Sequence, residues 1–392
     1  MIPKPLDKIE AADIQSLVTN GDEERRTLDF KRDLPGNADK DKNELRADVT
    51  SFANAGGGDL IFGVDEAGGV ATAVPGLPGV DADAEIRRIE AVIQTSIDPR
   101  VPGFESRAVS IPGKGPVIVV RVPKSWRGPH LVKINDTFRM FGRNSKGKYI
   151  FDATEIRSAF ALSAELPERI RRWRDDRMAK VIGGDAPVPL EDGARLFIHL
   201  LPLSSFAGNV ELSAADLGKQ HLAFHPPGVS GWNHRVNIDG VMTFSGPRGE
   251  TKRNNAYCQV FRSGRVEAVS TDIVTVHEKR RLVASLWYEE MMMQTVASYL
   301  KGLKDLGVQL PVVVLVAISG AKGAWFAVSR RLMGMGDSTI DRDMLLLPEV
   351  LVETYTPDMA TLFRPVFDAV WNAAGWERSF NYDENGKWTP RK

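Results

Sequence analysis

The sequence is nearly free of cysteine: Cys258 is the only one among 392 residues. A single cysteine can close no disulfide within the chain and cannot supply the ligands of a cysteine-bound zinc ion, so neither device is expected here. Long apolar segments are missing as well. No run of about 18 apolar residues is present and no signal peptide is visible, so we expect a cytoplasmic protein without a membrane partner.

The sequence also has no excess of charge of either sign. Lysine and arginine number 51, and aspartate and glutamate also number 51, so the formal net charge is zero. A protein that coats nucleic acid along a long basic face carries an excess of positive charge, so the zero net charge argues against this class but does not exclude a local basic groove. The phosphate-binding pattern G-x4-G-K-[ST] does not occur, which argues against an ATPase.

Length and composition predict more than one domain. The chain is 43% hydrophobic, which is enough for ordinary cores, and its length suits two or three domains. We predict a first domain over residues 1–165, a charged connector helix and linker over 166–189, and a second domain over 190–392 with a sensing or regulatory role. Strands and helices are mixed, which predicts an α+β fold first and an α/β or α+β fold after it.

A helix is predicted in the middle of the acidic stretch Asp22–Val70. Leu45, Val49 and Phe52 recur at i, i+4 and i+7, which places them on one helical face. The run Gly56–Gly58 follows and is expected to end the helix, because glycine adopts the left-handed conformation common at helix ends.

A buried strand, Leu60–Val64, is predicted next, and it leads into a turn that begins with Asp65 and Glu66. These two acids therefore stand where a strand leaves the core, which is a common position for functional residues.

Two more acids stand before this helix. Arg26–Lys31 is predicted as a strand with Leu28 and Phe30 facing inward and Asp29 facing outward. Residues five apart on a straight strand point to opposite faces, so Glu24 can meet Asp29 only from a bend before the strand. Glu23, six residues before Asp29, would share its face on a straight strand and is the alternative.

The remaining elements alternate in type. In the first domain we predict helices, a hairpin and a short strand: Ile9–Val18, Ala84–Ile97, Ala153–Ala161, Phe104–Ile111 with Val117–Val122, and Thr137–Phe141. In the connector we predict one charged helix, Leu166–Lys180, best explained as a solvated domain bridge. In the second domain we predict strands, a hairpin and two helices: Leu196–Leu203, Val312–Ile318, Ala256–Ala268, Arg281–Leu303 and Met359–Ala374.

An ordered set of short motifs resembles the Schlafen core, also called the AlbA-like or divergent AAA domain. Here the residues read E-x4-D-F-K from Glu24, then A-N-x-G-G from Ala53, then G-V-D-E from Gly63. The family pattern is E-x4-E-F-K, A-F-A-N-T-x-G-G and I-G-V-D-[DE]. Later family positions are resembled by Pro129-His130, Arg139, Arg143 and Glu155-Ile156-Arg157, so the resemblance covers roughly residues 15–165. Asp29 departs from the usual glutamate by one methylene.

The resemblance implies a metal-dependent carboxylate site. Its catalytic acids map to Glu24, Asp29 and Glu66, and the metal ligands to the same three with Asp65 beside Glu66 as an alternative. Convergent carboxylates suit Mg²⁺ or Mn²⁺. The cations that the family arranges around a groove map to Lys31, Arg32, Lys133, Arg139, Arg143, Lys146 and Lys148.

Our first hypothesis from this resemblance is an endoribonuclease for structured RNA such as tRNA, acting as a toxin or phage-defence effector. RNA is favoured over DNA. One copy of the motif set would supply half of a two-lobed groove, so we expect a homodimer. An operon-encoded protein is the further partner that such an effector predicts. The alternative is a regulatory nucleic-acid-binding, or DNA-binding, protein without catalysis, which has no need of convergent acids. Trp126 in the loop Lys124–Pro129 can stack on a base, although packing is its commoner role.

Overall fold

The chain divides into two units, Met1–Pro167 and Glu168–Lys392. The structure is a computed structural model that describes residues 1–144, 146–206, 211–247, 252–327 and 339–389. Both units combine helices with strands, so the predicted α+β character is confirmed. None of the helices in these ranges has the length and apolar character needed to cross a membrane.

Among its described residues, the first unit contains four α-helices, the last of which continues past Pro167. The helices are α1 (Ala11–Thr19), α2 (Asp39–Asn54), α3 (Ala82–Ile93) and α4 (Ala153–Ile182). The strands are β1 (Leu28–Lys31), β2 (Gly58–Phe62), β3 (Asp65–Ala67), β4 (Val70–Ala73), β5 (Ile97–Asp98), β6 (Glu105–Ile111), β7 (Gly115–Val122), β8 (Leu131–Ile134), β9 (Thr137–Asn144) and β10 (Gly147–Ile150).

The central sheet of the first unit is ordered β1-β2-β7-β6. Strands β1 and β2 are parallel and are joined through α2, whereas β2, β7 and β6 are antiparallel. A second sheet is ordered β10-β9-β8-β5, and β3 and β4 form a separate hairpin. Both strands of the predicted hairpin around residues 112–116 are present as β6 and β7.

Both faces of the central sheet are covered. Leu60 and Phe62 pack with α2 and α3, while Leu28, Phe30 and Ile61 pack with the N-terminal segment on the other face. Asp29 was expected to face outward, but it is only 2% exposed because the face it occupies is also buried. A carboxylate in such a place needs partners, since burying an unpaired charge is costly.

The helix boundaries at α3 and α4 differ from the sequence prediction. Helix α3 ends at Ile93 instead of Ile97, because Gln94 caps it and Ser96 adopts a positive φ of 59°, after which β5 begins. The helices predicted on either side of residue 165 form one helix, α4, which contains Pro167.

The second unit contains an eight-stranded antiparallel sheet in the order β12-β13-β14-β15-β11-β18-β20, with β21 also paired to β18. The three short strands β16, β17 and β19 form another sheet. The strands are β11 (Arg195–Pro202), β12 (Asn233–Asn237), β13 (Gly240–Phe244), β14 (Ala256–Phe261), β15 (Val266–Ser270), β16 (Thr275–His277), β17 (Arg280–Ala284), β18 (Val312–Ser319), β19 (Trp325–Ala327), β20 (Met344–Leu346) and β21 (Val350–Val352). The helices are α5 (Ala214–Lys219), α6 (Ser285–Asp305) and α7 (Met359–Ala373).

Helices α6 and α7 cover one face of this sheet and complete its core. Helix α6 starts at Ser285, later than the predicted Arg281, because Arg280–Ala284 pairs as strand β17. The predicted hairpin at Ala256–Ala268 is present as β14 and β15.

The connector part of α4 belongs to the second unit. Arg177 donates to both oxygens of Glu267, at 2.9 and 2.7 Å, and Glu267 is fully buried on β15. Tyr257 donates to the same carboxylate at 2.8 Å. Arg171 pairs with Glu349 at 2.7 Å on the surface. These basic side chains are therefore engaged within their own unit.

Candidate acid–base site

The site is organised by a tight turn that folds the chain back before β1. Arg25 and Leu28 exchange two backbone hydrogen bonds of 3.0 Å, so Glu24 leaves the line of the strand. The Glu24 carboxylate then accepts a 2.8 Å hydrogen bond from the Phe30 backbone N–H. This is the bend that the sequence required, and it places Glu24 within hydrogen-bonding reach of Asp29.

Glu24 and Asp29 have different affinities for protons. Burial and the hydrogen bond with Asp29 raise the pKa of Glu24 to about 7, although the Phe30 N–H opposes the shift. Burial would also raise the pKa of Asp29, but the charges of Arg143 and Lys31 and the hydrogen bond with Glu24 hold it below the usual range. Near neutral pH the pair therefore holds one exchangeable proton, on Glu24.

Asp29 is held between two cations. Lys31 donates to its Oδ1 at 2.7 Å, and Arg143 donates to its Oδ2. Arg143 reaches this position from β9, and its guanidinium lies 4.3 Å from the centre of the Phe52 ring. Only 4% of Arg143 is exposed, so this predicted nucleic-acid contact faces the acids and not the surface.

A third carboxylate, which was not among the predicted site residues, completes the group. Asp48 on α2 is 2% exposed, and its Oδ1 lies 3.8 Å from Nη1 of Arg143. Burial raises its pKa, and the ammonium of Lys148, 2.8 Å from Oδ1, opposes this shift. A signal was present in the sequence: Asp48 stands three residues after Leu45 and four before Phe52, and so it shares the apolar face of α2.

These side chains form what we call the acid–base cluster. Its members are Glu24, Asp29, Lys31, Asp48, Arg143 and Lys148. Burial would lower the pKa of Lys31, but the charges of Asp48 and Asp29 outweigh it and raise the pKa. Lys148 also bonds to the exposed Glu44.

Glu66 and Asp65 have other partners. Glu66 is exposed on the β3–β4 hairpin, and its Oε2 accepts a 2.6 Å hydrogen bond from the backbone N–H of Gly69. Asp65 pairs with Arg32 at 2.9 Å. Glu23 is exposed and forms a backbone bridge with Val70. Of the predicted acids, the structure thus brings Glu24 and Asp29 into direct contact.

The carboxylates as placed do not fit a metal ion. Both oxygens of Asp29 and Oδ1 of Asp48 are already taken by cationic side chains, which a divalent ion would have to displace. Within the described ranges, no group of three or more His, Cys, Asp or Glu side chains is arranged to hold a metal. The Mg²⁺ or Mn²⁺ set Glu24, Asp29, Glu66 and Asp65 stays a prediction that rests on the resemblance.

The remaining predicted nucleic-acid contacts lie on the surface. Lys133 pairs with the exposed Asp136 at 2.9 Å. Arg139 and Lys146 are exposed on or beside β9. Each can therefore reach a ligand more easily than Arg143 can. Lys133 would first have to give up its weak surface ion pair with Asp136.

One motif residue has a clear structural role. Asn54, the last residue of α2, donates from Nδ2 to the carbonyls of His130 and Phe141, at 2.9 and 3.0 Å. Its Oδ1 accepts from the His130 N–H at 2.7 Å. The asparagine of the A-N-x-G-G motif therefore ties α2 to β9 and to the segment before β8.

Comparison with known proteins gives one family. Residues 24–152 match the family model described as Schlafen, AlbA_2. No curated protein matches the chain. Among solved structures, the DIP2311 protein from Corynebacterium diphtheriae is similar at 19% sequence identity with a TM-score of 0.25, and the match covers 36% of this chain and 29% of that one. The chain thus spans well under two thirds of the length of that protein.

Proposed function

Because residues 24–152 form a Schlafen/AlbA-like domain, we propose that this chain acts on nucleic acid, and specifically that it is an endoribonuclease for structured RNA such as tRNA. The observation that carries the proposal is the contact between Glu24 and Asp29, in which the pKa of Glu24 is raised to about 7. A carboxyl group with a pKa near the working pH is suited to general acid–base catalysis.

The chemistry assigned to each residue follows from its proton state. Phosphodiester cleavage requires a proton to leave the attacking hydroxyl and a proton to reach the leaving oxygen. Glu24, once ionised, takes the first of these protons, and water supplies the second to the leaving oxygen. Asp29 stays ionised beside Glu24 and keeps it close by hydrogen bonding. Lys31, 2.7 Å from Asp29, brings a positive charge that favours the approach of phosphate.

A metal cofactor, Mg²⁺ or Mn²⁺, is proposed from the family resemblance alone. Its predicted ligands are Glu24, Asp29 and Glu66, with Asp65 as an alternative. The oxygens of Asp29 are held by Lys31 and Arg143, which a metal ion would have to displace. Cleavage must therefore be assayed both with and without divalent ions.

A non-catalytic nucleic-acid-binding protein is the second candidate. It is favoured by the burial of Asp29 and Arg143, which are 2% and 4% exposed. Charges that neutralise one another in the interior can serve to fix α2, β1 and β9 relative to one another without meeting a substrate. On this account the surface cations alone contact the nucleic acid.

Cleavage of a purified tRNA separates the two candidates. The full chain is incubated with the RNA in Mg²⁺, in Mn²⁺ and in EDTA. We expect cleavage by the wild-type protein and none by Glu24→Gln, which has the shape of the protonated acid but cannot accept a proton. Asp29→Asn should also be inactive. RNA that is bound yet intact in all three buffers would establish the binding protein instead.

Glu66→Gln and Asp65→Asn test the ligand set implied by the resemblance. If Glu66 is a ligand, its loss abolishes metal-stimulated cleavage, while Asp65→Asn has the milder effect. If the hydrogen bond from Gly69 is the main role of Glu66, cleavage survives. These variants lie on an exposed hairpin and are expected to fold.

Assembly and cellular role belong to the same proposal. One Schlafen/AlbA-like domain per chain suggests a homodimer that pairs two such domains by two-fold symmetry. A strictly monomeric mass in light scattering at micromolar concentration would count against this dimer. A toxin or phage-defence role, with an operon-encoded partner, would suit an endoribonuclease; RNA cleavage in cells that express the chain, absent with Glu24→Gln, is the corresponding test.

A further inference from the structure

A second basic group lies outside the acid–base cluster, beside the glycines that follow α2. Arg26 occupies the tight turn before β1, and Lys124 follows β7. A Cβ added to Gly56 would lie 3.9 Å from Nε of Arg26, and one added to Gly57 would lie 2.7 Å from the backbone N of Lys124. The glycine run therefore allows the turn and the loop to approach the same point.

The loop that carries Lys124 is fixed by backbone contacts. The N–H of Ser125 donates to the Ala53 carbonyl at 2.9 Å, and two residues of the motif region, Asn54 and His130, bind each other through two hydrogen bonds. A site on this loop is thus formed before any ligand arrives, which lowers the entropic cost of binding.

Arg26 and Lys124 are close enough for their positive charges to interact. Burial lowers the pKa of Lys124, and the positive charge of Arg26 lowers it further. In the described part of the chain neither side chain forms an ion pair, whereas Arg32 has Asp65 and Lys133 has Asp136. Two like charges held together are destabilising, and an anion between them would relieve the repulsion.

An aromatic ring belongs to the same group. The ammonium of Lys124 lies 4.2 Å from the centre of the Trp126 ring, and Trp126 is partly exposed. A basic groove with an aromatic side chain is the usual means by which proteins bind unpaired nucleic acid, the cations taking the phosphates and the ring stacking on a base.

We propose that Arg26 and Lys124 bind one backbone phosphate of an unpaired RNA segment and that Trp126 stacks on a neighbouring base. Arg26 stands two residues after Glu24, on the turn that positions this acid. The ligand class rests on the proposed function. We call Arg26, Lys124 and Trp126 the patch. Its binding mode requires that an unpaired loop or end of the structured RNA enters the site.

The test is binding of a fluorescently labelled single-stranded oligoribonucleotide to the full chain in EDTA, followed by anisotropy over a range of salt concentrations. Arg26→Gln and Lys124→Gln each remove one cation, and the Trp126→Leu variant removes the ring. Lys8→Gln is the matched control, because Lys8 is an exposed lysine with Asp7 3.8 Å away.

We expect Arg26→Gln and Lys124→Gln each to weaken binding about fivefold at low salt. The double variant should reduce the slope of log K against log salt by about 0.7, the value for one phosphate contact on a single strand. Loss of the ring in Trp126→Leu should weaken binding about fivefold or more with no change of slope. Lys8→Gln should behave as wild type.

Wild-type affinity and slope in Arg26→Gln and in the double variant would overturn the patch. Arg26 is exposed on a turn, so its variant is expected to fold even if Lys124→Gln does not. If tRNA cleavage still depends on Glu24 in that case, the patch alone is wrong. Absence of any RNA binding by the wild-type protein would overturn both the patch and the proposed function.

Discussion

Glu24 and Asp29 are separated by four residues, yet their carboxyl groups lie within hydrogen-bonding reach of each other. The turn closed by Arg25 and Leu28 makes this possible, since it removes Glu24 from the alternation of the strand. The hydrogen bond from the Phe30 N–H then fixes the glutamate at 2.8 Å. The E-x4-D spacing is therefore the length of chain that a tight turn before β1 requires.

The raised pKa of Glu24 predicts how stability depends on pH. The pKa is about 7 in the folded protein, against 4.5 for an ordinary glutamate. Between these values the folded state retains a proton that the unfolded state has lost, so stability falls as the pH rises from about 4.5 to about 7. Glu24→Gln cannot titrate and should flatten this part of the curve. Urea unfolding at several pH values measures it; an unchanged slope in the variant would contradict the assigned proton.

The adjacent glycines Gly56, Gly57 and Gly58 should differ in how much a substitution by alanine destabilises the fold. A Cβ at Gly58 would lie 2.2 Å from Cε1 of Phe52. Gly57 has a φ of +73°, and a Cβ added there would lie 2.7 Å from the backbone N of Lys124. We expect Gly57→Ala and Gly58→Ala each to cost about 1–3 kcal/mol or more. Gly56→Ala is the matched control, since its nearest neighbour would be 3.9 Å away. It should change stability by less than about 0.5 kcal/mol.

Thermal unfolding of the three variants checks this order. Equal destabilisation by all three would mean that the backbone of this segment differs from the one described. Gly57→Ala is also expected to displace Lys124 and so to weaken RNA binding, whereas Gly56→Ala should leave it within twofold of wild type.

The ion pair between Arg177 and Glu267 should contribute far more than the pair between Arg171 and Glu349. Glu267 has no exposed side-chain area, so Arg177→Met leaves a buried charge short of its main partner and should cost about 3–5 kcal/mol. Arg171 and Glu349 are 49% and 37% exposed, so Arg171→Met should cost less than about 1 kcal/mol. Urea unfolding of the two variants compares them directly.

Lowering the pH should weaken the buried ion pair between Arg177 and Glu267 within a defined pH range. Burial alone would raise the pKa of Glu267, but its hydrogen bonds with Arg177 and His199 lower it to about 2. The stabilisation is therefore complete above about pH 4.5 and is lost as the pH falls towards 2. If Arg177→Met destabilised no more than Arg171→Met, the assignment of this pair as a main anchor of α4 would be wrong.

The basic residues of the connector are not expected to contact RNA. Arg171 is paired with Glu349, and Arg174 is mostly buried beside Asp175 at 2.8 Å. Arg171→Glu combined with Arg174→Glu should therefore leave RNA affinity and its salt dependence as in the wild type. If the double variant does not fold, Arg171→Glu alone serves the same purpose. A weaker affinity with a flatter salt slope in a folded variant would place the helix in the RNA site.

The sequence predicted the elements around the site better than the site's charge balance. Apolar periodicity located α2, and the glycine run located its end, because both signals are local. The bend at Glu24 was predictable from strand alternation alone. The burial of Asp29 was not, since it depends on α2 and β9 covering the second face of the sheet, which is a tertiary event.

Asp48 shows why the rest was missed. Its place on the apolar face of α2 was visible in the spacing from Leu45 and Phe52. However, an aspartate is stable in the interior only when cationic side chains pair with it. Those cations, Arg143 and Lys148, lie about a hundred positions further along the chain. Nothing in their local sequence distinguishes them from surface residues.

The single-turnover rate of tRNA cleavage as a function of pH shows whether Glu24 is the general base. Wild-type protein should cleave with a rate that rises as the pH increases through about 7, because ionised Glu24 accepts the proton of the attacking hydroxyl. Glu24→Gln should bind the same RNA and show no cleavage at any pH. Cleavage by Glu24→Gln at the wild-type rate, or wild-type protein that binds the RNA and never cuts it, would rule out Glu24 as the general base of an endoribonuclease.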